Sequence, residues 1–410
     1  MQTSKFSKNR AGNLLKNSDG HWSFVPYELP PELEVDWALA REISEADRKL
    51  SELAGTARTL PNPHLLIEPF SRREAVLSSK IEGTVASLSD LLSFEALGTV
   101  PNDRGDVREV ANYVAALEYG LKRLNEIPVS LRLMRELHER LMKGVRGQNL
   151  TPGEFRKRQN WIGDPGCKIE DATFVPPSVN DMTAALGSLE KYIHDTTHLP
   201  PLVRMALIHY QFEAIHPFLD GNGRIGRLLI VLLLVSEKLL PQPLLYLSAF
   251  FERHRSDYYR LLLEVSQNGN WREWMIFFLR GVAEQSQDAI VRASKLLELS
   301  QKCREKLQNA RASATLLKLA DYLFTRPVVN VAIAQRVLKI SQPAAQGNID
   351  KLVAEGMLTE VTGRQRGRIY FAHRVMDIVE EDKSEEQLDL PLTAQNQRKT
   401  TSASSLLSGR

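Results

Sequence analysis

The chain has 410 residues, of which 43% are hydrophobic and 25% are charged. These proportions are ordinary for globular proteins and exclude a fibrous or wholly disordered chain, and the length is typical of two or three domains. The 53 basic and 50 acidic residues leave a formal net charge of only +3, which excludes a general electrostatic attraction to nucleic acid or to anionic membranes.

Residues 1–25 are polar and basic, with few large apolar side chains. Such a segment has little surface to bury, so we predict a flexible N-terminal arm. The arm lacks the apolar stretch of a secretory signal, and two cysteines, Cys167 and Cys303, indicate no disulfide framework. These features favour a reducing, cytoplasmic compartment.

Between residues 26 and 299, apolar side chains recur every three or four positions, which is typical of amphipathic helices. This spacing is found at 37–53, 107–125, 131–143, 180–193, 203–214 and 271–299. We therefore predict a mainly α-helical protein, with an N-terminal helical region at 26–105 and a helical domain at 106–299. The longest purely apolar run, 228–235, is too short to span a bilayer and predicts a buried helix without membrane contact.

The main interruption of the helical pattern lies at 160–177, where two short β-prone stretches flank a loop that contains Asp164, Pro165 and Gly166. Two prolines follow the second stretch and end it, because proline cannot donate to a β-ladder. The segment predicts a β-hairpin.

A polar stretch at 300–313 predicts a domain boundary. Three short helical patterns, at 314–324, 331–337 and 342–355, precede a hairpin pattern at 357–371. This order predicts a winged-helix domain at 300–381. The remaining residues, 382–410, are rich in Ser, Thr, Gln, Lys and Glu, so we predict a disordered tail.

Within the predicted winged helix, Ser341 is a good N-cap for the third helix and Gly356 ends it. Polar side chains of this helix can read base edges, and arginines of the hairpin turn can bind phosphates. These residues are Gln342, Gln346 and Asn348 in the helix, and Arg364, Arg366 and Arg368 in the turn. Because this fold also serves protein contacts and dimerisation, DNA, a protein partner and a homodimer all remain open.

The most informative segment runs from His216 to Arg227 and reads His-Pro-Phe-Leu-Asp-Gly-Asn-Gly-Arg-Ile-Gly-Arg. It lies between two apolar helical patterns and predicts a loop that enters a helix. Gly221 and Gly223 permit backbone angles that turn successive N–H groups inward, as in an anion-binding nest at a helix N-terminus. Arg224 and Arg227, three residues apart, supply two guanidinium groups for phosphate oxygens. The segment therefore predicts a polyphosphate site.

Three further side chains of this segment have predicted roles. Asp220 is expected to bind a hard cation such as Mg²⁺ beside the phosphates. His216 has an ordinary pKa near neutrality and is suited to accept a proton from an incoming hydroxyl. Phe218 is expected to anchor the loop in the core.

At every fixed position this segment resembles the signature of the Fic family, His-x-Phe-x-Asp/Glu-Gly-Asn-Gly-Arg-x-x-Arg. The resemblance implies a Fic-type helical bundle and transfer of AMP from ATP to a Ser, Thr or Tyr hydroxyl of a target protein or of the chain itself. It implies that His216 deprotonates the hydroxyl and that Asp220 holds Mg²⁺. It also implies that the Asn222 side chain and the loop amides hold the α-phosphate, while the two arginines hold the outer phosphates.

A second segment, from Ser78 through Glu82 to Gly83, resembles the inhibitory helix motif of the same family, Ser/Thr-x-x-x-Glu-Gly/Asn. The resemblance implies that Glu82 pairs with Arg227 and blocks the seat of the γ-phosphate. A carboxylate and a phosphate compete for the same guanidinium fork. Autoinhibition is therefore expected.

The predicted hairpin at 160–177 resembles the flap of this family, along which a target segment docks as an added strand. Lys168, Ile169 and Glu170 are expected near its tip. Tyr258 and Tyr259 are candidates for the adenine pocket, because aromatic faces stack on bases.

Three activities remain open: an AMP transferase, a hydrolase that removes AMP from modified proteins at the same site, and a DNA-binding regulator with a vestigial Fic region. The intact signature argues against the third. The choice between the first two depends on whether His216 faces a protein hydroxyl or Glu82 orients a water molecule.

Overall fold

A computed structural model describes residues 1–59, 62–98, 105–195, 199–363 and 367–381, and the chain is mainly helical there. The helices are α1 (Trp37–Thr59), α2 (His64–Ile81), α3 (Leu88–Leu97), α4 (Asp106–Arg123), α5 (Leu131–Leu141), α6 (Val179–His194), α7 (Pro201–Ile215), α8 (Asn222–Ser236), α9 (Ser248–Arg253), α10 (Arg255–Asn268), α11 (Trp271–Asn309), α12 (Ala314–Thr325), α13 (Val331–Leu338), α14 (Gln342–Ala354) and α15 (His373–Glu380). The strands are β1 (Gly12–Lys16), β2 (Trp22–Pro26), β3 (Val328–Val329), β4 (Thr359–Glu360) and β5 (Tyr370–Phe371).

The N-terminal residues differ from the flexible arm predicted for 1–25. Strands β1 and β2 form an antiparallel pair in which Leu14 lies opposite Phe24. The Phe24 side chain is fully buried, and its ring lies 5.8 Å from the ring of Phe6 and 5.5 Å from that of Phe174. Two aromatic side chains bury enough surface to attach this segment, although its average composition is polar.

Helices α7 and α8 form the centre of the helical body. Nearly every residue of both helices is buried, and most of these residues are apolar, as expected for helices enclosed by others. Pro201 begins α7, where its missing N–H costs no hydrogen bond. The short loop between the two helices carries the signature segment and is thereby fixed at both ends by the core.

Helix α11 is longer than predicted and passes through the domain boundary expected at residue 300. It contains 39 residues and ends at Asn309. Leu296, Leu299 and Leu307 are all buried, so the apolar stripe continues through the polar stretch at helical spacing. Helix α1 packs along α11. Every helix of the described residues is too short or too polar to cross a bilayer.

The C-terminal residues form the predicted winged helix, with α12, α13 and α14 beside a sheet of order β3-β5-β4. This domain packs against α2, mainly through α12. The Arg326 Nε donates to Glu68 Oε2 at 2.8 Å, and Asn330 Nδ2 donates to the Ala96 carbonyl at 3.2 Å. The predicted tail at 382–410 lies outside the described residues.

The segment at 160–177 is less regular than the predicted hairpin. One antiparallel bridge joins Ile162 and Phe174, with N–H···O distances of 2.8 and 3.0 Å. A 3₁₀ turn at Ile169–Asp171 occupies the far end. The prolines after Phe174 leave no donors for a longer ladder on that side, so the pairing stops after one residue pair.

Candidate active site

The signature loop is closed by one of its own side chains. Asn222 Oδ1 accepts a hydrogen bond from the Phe218 N–H, and Asn222 Nδ2 donates to the Phe218 carbonyl, both at 2.8 Å. The Asn222 side chain is buried, and these two bonds hold the loop. Each of its two polar atoms can make a further bond, so its role at the α-phosphate stays a prediction.

His138, on α5, supports the loop through contacts with Asp220 and Phe218. The sequence analysis did not identify this residue. Its Nδ1 accepts from the Gly153 N–H at 2.9 Å, so its Nε2–H donates to the Asp220 carbonyl at 3.0 Å. Its ring stacks on Phe218 at 3.9 Å between centroids, and Phe218 is fully buried, as predicted. Burial lowers the pKa of His138 to about 4, so the ring is a neutral, structural contact.

Two side chains at the base of the flap hold the loop from the other side, and they were also missed. Arg156 Nε donates to the His216 carbonyl at 3.1 Å, and its Nη2 donates to the Pro177 carbonyl at 2.5 Å. Asn160 Nδ2 donates to the Phe218 carbonyl at 2.9 Å. Burial lowers the pKa of Arg156 to about 10, which leaves it charged at neutral pH.

His216 ends α7 in the left-handed conformation, at φ 50° and ψ 60°. Its Nδ1–H donates to the Glu213 carbonyl at 3.3 Å, so the lone pair resides on Nε2. Burial lowers the pKa of His216 to about 4, which keeps the imidazole neutral at physiological pH. The side chain is thus able to accept a proton at Nε2.

The Glu82 carboxylate lies at the start of α8. Helix α8 begins after Gly221, which adopts φ 79° and has no side chain to cap the first N–H groups. A Cβ at Gly223 would lie only 2.3 Å from Glu82 Oε1, so the carboxylate sits directly above this glycine. Uncapped N–H groups and the helix dipole both favour negative charge at this point.

Arg227 is held by the segment that resembles the inhibitory motif. Its Nε donates to Ser78 Oγ at 2.8 Å, and its Nη2 donates to the Ser78 carbonyl at 2.8 Å and to Glu82 Oε1 at 2.7 Å. The guanidinium is buried, while the Glu82 side chain is 31% exposed. Burial alone raises the pKa of the Glu82 carboxyl, but the charge and hydrogen bond of Arg227 outweigh it and hold the pKa below its ordinary value.

Arg224 faces a different set of partners. Its Nη1 donates to Glu109 Oε2 at 3.1 Å, and its Nη2 lies 3.6 Å from Asp220 Oδ1. Asp220 Oδ1 accepts from the Gly221 N–H at 2.6 Å, and the side chain is 36% exposed.

The residues present fit a magnesium ion bound together with a nucleotide. Among the described residues no cluster of three His, Cys, Asp or Glu side chains forms a protein-only metal site. Mg²⁺ in nucleotide sites is usually held by one or two carboxylates, phosphates and water. The partly exposed Asp220 carboxylate beside Arg224 suits that chemistry.

Comparison with known proteins matches this geometry to a family. Residues 40–122 match the Fic/DOC family N-terminal region, and residues 128–234 match the Fic/DOC family domain. The chain thus contains a Fic/DOC N-terminal region and a Fic/DOC domain. Residues 316–370 also match an HTH DNA binding domain, in agreement with the winged helix.

Curated relatives of the Fic domain include fly proteins named protein adenylyltransferase Fic. The protein from Drosophila grimshawi is 26% identical over 250 residues, which cover 59% of this chain and 47% of the fly protein. The protein from Drosophila erecta is 28% identical over 204 residues, which cover 48% and 37%. This chain thus spans less than half the length of these relatives.

A solved structure has the same fold. A Fic family protein from Desulfovibrio desulfuricans superimposes with a TM-score of 0.54 at 18% identity, covering 84% of this chain and 98% of that protein.

The two tyrosines predicted for the adenine pocket of the Fic domain have different surroundings. Tyr258 is buried, donates its hydroxyl to His209 Nε2 at 2.8 Å and stacks on Phe251. It is a core residue, which corrects its assignment to the pocket. Tyr259 is 44% exposed. Of the two tyrosines, it is therefore the one whose ring has a face available to a base.

The flap residues predicted near the docking site lie in or beside the 3₁₀ turn. Lys168 precedes the turn, and the carbonyls of Ile169 and Glu170 accept hydrogen bonds from the Met1 amino group at 3.2 and 2.7 Å. These carbonyls are therefore occupied. Trp161 and Ile162, on the opposite stretch of the flap, are 42% and 39% exposed.

The candidate base-reading residues of α14 are partly engaged within the domain. Gln342 is exposed, whereas Gln346 Nε2 donates to Asp350 Oδ1 at 2.7 Å and Asn348 Nδ2 donates to the Ala344 carbonyl at 2.7 Å. Ser341 occupies the N-cap position without a side-chain cap bond. Of the three arginines predicted to bind phosphates, Arg364 and Arg366 lie outside the described residues.

Proposed function

We propose that this protein transfers AMP from ATP to a Ser, Thr or Tyr hydroxyl of a target protein, with release of pyrophosphate, and that Glu82 inhibits the transfer. One observation carries the proposal: the Glu82 carboxylate binds Arg227 at 2.7 Å and lies above Gly223 at the uncapped start of α8. This position favours an anion. The names of the fly relatives support the same reaction class.

The proposed reaction uses groups that already stand in place. The α-phosphate of ATP binds at the first N–H groups of α8, and the target hydroxyl approaches from the side of His216. Nε2 of His216 accepts the hydroxyl proton as the oxygen attacks phosphorus and the bond to pyrophosphate breaks. Asp220 would hold Mg²⁺, which when bound supplies positive charge to the leaving phosphates.

Inhibition follows from competition for one side chain. Ser78 and Glu82 occupy both Nε and Nη2 of Arg227, and these two groups form the edge with which arginine binds an oxyanion bidentately. A γ-phosphate must displace Glu82 to use that edge. The partly exposed Glu82 side chain can rotate away without unfolding the helix that carries it.

Target docking is proposed at the flap. The exposed Trp161 and Ile162 offer side-chain contacts beside a backbone edge, and an extended segment can bind such an edge through main-chain hydrogen bonds. The docked hydroxyl would then lie near His216, because Arg156 joins the base of the flap to the His216 carbonyl.

The test measures covalent AMP directly. Wild type, Glu82→Gly and Glu82→Gly/His216→Ala are incubated with ATP, Mg²⁺ and a cell lysate, followed by intact-mass analysis and labelled-AMP autoradiography. Glu82→Gly should raise labelling by about tenfold or more, which corresponds to about 1.4 kcal/mol of removed competition. The added His216→Ala should lower labelling by about 10²-fold or more.

The double variant must bind ATP as tightly as Glu82→Gly and melt at the same temperature. Its lower labelling can then be attributed to loss of the base alone. Absence of any AMP adduct with Glu82→Gly, on the chain or on lysate proteins, contradicts the proposed reaction.

Removal of AMP is a second candidate, favoured by the position of the Glu82 carboxylate beside Gly223 of the signature loop. A carboxylate there can orient a water molecule toward a phosphorus atom. In this case wild type releases AMP from a protein labelled by Glu82→Gly, whereas Glu82→Gly alone leaves the label in place. A stable label in both samples excludes the hydrolase.

A further inference from the structure

The two signature arginines are held in opposite ways. Arg227 has both Nε and Nη2 bonded to the inhibitory segment, and its Nη1 is buried without a partner. Arg224 has its Nη1 bonded to Glu109, while its Nε is buried without a partner. The Nη2 of Arg224 has only longer contacts, at 3.6 Å to Asp220 and 4.0 Å to the Met142 sulfur. The Nε–Nη2 edge of Arg224 therefore lacks the short hydrogen bonds that the same edge of Arg227 makes.

Glu109 is a buried carboxylate outside the signature. It lies in the first turn of α4 and is 3% exposed. Its Oε2 accepts from Arg224 Nη1 at 3.1 Å and from Thr84 Oγ1 at 3.3 Å, and its Oε1 lies 3.9 Å from Arg146 Nε. One carboxylate thus joins the first signature arginine to the segment that follows Glu82.

The Nε–Nη2 edge of Arg224 is suited to bind an oxyanion. The buried Nε of Arg224 lacks a protein partner, and an oxyanion bound at this edge would satisfy it. The Nε and Nη2 groups of one guanidinium match two oxygens of a phosphate. Because Glu109 takes Nη1 from the opposite side, it fixes the orientation of the guanidinium without competing for that edge.

We propose that Glu109 is a positioning residue: it holds Arg224 so that its Nε–Nη2 edge faces a phosphate of ATP, and it thereby supports the reaction that Glu82 blocks. This inference rests on the proposed binding of ATP at the signature loop. Glu82 on Arg227 and Glu109 on Arg224 therefore have opposite effects on ATP binding. Loss of Glu82 opens the site, and loss of Glu109 disorders it.

The experiment uses the full chain in the Glu82→Gly background, where the nucleotide site is accessible. Glu109→Gln keeps the size and one acceptor oxygen but removes the charge. The dissociation constant of ATP with Mg²⁺ is measured by calorimetry, and kcat and KM are measured for AMP transfer. We expect weakening of ATP binding by about tenfold, the lower end of the effect of removing a supporting partner, with a matching rise in KM. Glu118→Gln, a change of an exposed glutamate on the same helix, should leave both values unchanged.

A double-mutant cycle separates positioning from general structural damage. If Glu109 acts through Arg224, then Glu109→Gln adds no further loss in an Arg224→Ala background. Glu109→Asp should recover part of the affinity, because it restores the charge on a shorter side chain. Melting temperatures identify variants that fail to fold, and in that case Thr84→Val, which removes one donor to Glu109, replaces the glutamine variant with a smaller expected loss.

The outcomes distinguish this inference from the proposed reaction. Equal ATP affinity with and without Glu109→Gln overturns the positioning role, as does an additional loss of the same size in the Arg224→Ala background. ATP binding without AMP transfer in Glu82→Gly contradicts the proposed reaction, while the affinity measurements still decide the role of Glu109. Absence of ATP binding in Glu82→Gly overturns both.

Discussion

The signature loop and the inhibitory segment meet at Arg227 but are attached to the protein very differently. The loop is held on every side: Asn222 and Asn160 bond the backbone of Phe218, while Arg156 and His138 bond two further loop carbonyls. The inhibitory segment reaches the site through a few polar groups at the end of α2, and its Glu82 side chain is 31% exposed. The signature loop is therefore fixed before any ligand binds, whereas the Glu82 carboxylate, which we propose closes the site, is partly exposed and able to move.

This difference has an energetic side. Interactions that fix a loop are present before any nucleotide binds, so they add to the rate without reorganisation. An ion pair that is partly exposed to water is weaker than a fully buried one. An arriving triphosphate therefore competes with a modest interaction rather than with the packing of a helix. Four predictions test this contrast, from the largest expected effect to the smallest.

Because the signature loop is held by hydrogen bonds on several sides, we predict that Asn222→Ala strongly lowers the rate of AMP transfer. Without the two bonds to Phe218, the loop N–H groups move relative to His216, and a displacement of about 1 Å can cost roughly 10²-fold in rate. AMP transfer is measured in the Glu82→Gly background. The control is Asn330→Ala, which removes a helix cap in the winged helix and should leave transfer unchanged. A loss below about threefold would mean that Asn222 does not hold the loop.

The burial of His216 predicts an unusual pH dependence. Transfer requires the neutral imidazole, so kcat/KM falls as pH decreases through the pKa of His216, which burial lowers to about 4. We expect a flat profile from pH 8 down to about 5.5, then a fall approaching tenfold per pH unit below the pKa. An ordinary histidine would already lose half its activity near pH 6.5. A break near pH 6.5 in the Glu82→Gly variant contradicts a buried base.

Because the inhibitory segment is held at Arg227 by few polar groups, we predict that Ser78→Ala moderately raises AMP labelling. This change removes the acceptor of Arg227 Nε, and loss of about 1 kcal/mol of hydrogen bonding should raise wild-type labelling by about fivefold. Ser79→Ala is the matched control, because the neighbouring Ser79 hydroxyl is buried without a partner. Equal labelling by the two variants would contradict a role for Ser78 in closing the site.

The smallest effect is expected where the winged helix meets α2. Arg326→Ala removes the ion pair with Glu68, whose side chains are 42% and 28% exposed. Exposed pairs contribute about 0–1 kcal/mol, and this one lies near the start of α2, far along the helix from Glu82. Basal labelling should change by less than about twofold. A larger rise would show that the C-terminal domain helps to keep the site closed.

The sequence indicated which residues of the loop could carry chemistry, but it did not indicate the residues that support the loop. The residue types of the signature specify a base, an anion site and two guanidinium groups within twelve residues, and such a local pattern is readable. His138, Arg156 and Glu109 meet the loop only after folding, and Glu109 is 115 residues from Arg224. No short-range spacing marks such partners, so sequence reasoning missed them.

The remaining differences have the same origin. An amide side chain such as Asn222 can bond to a ligand and to its own backbone, and only the folded loop reveals the backbone bonds. Tyr258 was assigned to a pocket because aromatic faces stack on bases, but the fold buries its ring against Phe251, whereas the adjacent Tyr259 points in a different direction. In the N-terminal segment, average polarity concealed the two phenylalanines that attach it.

Helix α11 has a consequence for how the two domains can be separated. At 39 residues it is about 58 Å long, and its C-terminal turns bury Leu307 while its N-terminal half packs along α1. Because both domains pack against this one helix, the chain cannot be divided within α11 without exposing apolar surface. The protein should melt in one calorimetric transition, and a chimera that exchanges the winged helix must be spliced after Asn309, since a cut at residue 300 would split one apolar stripe between two proteins.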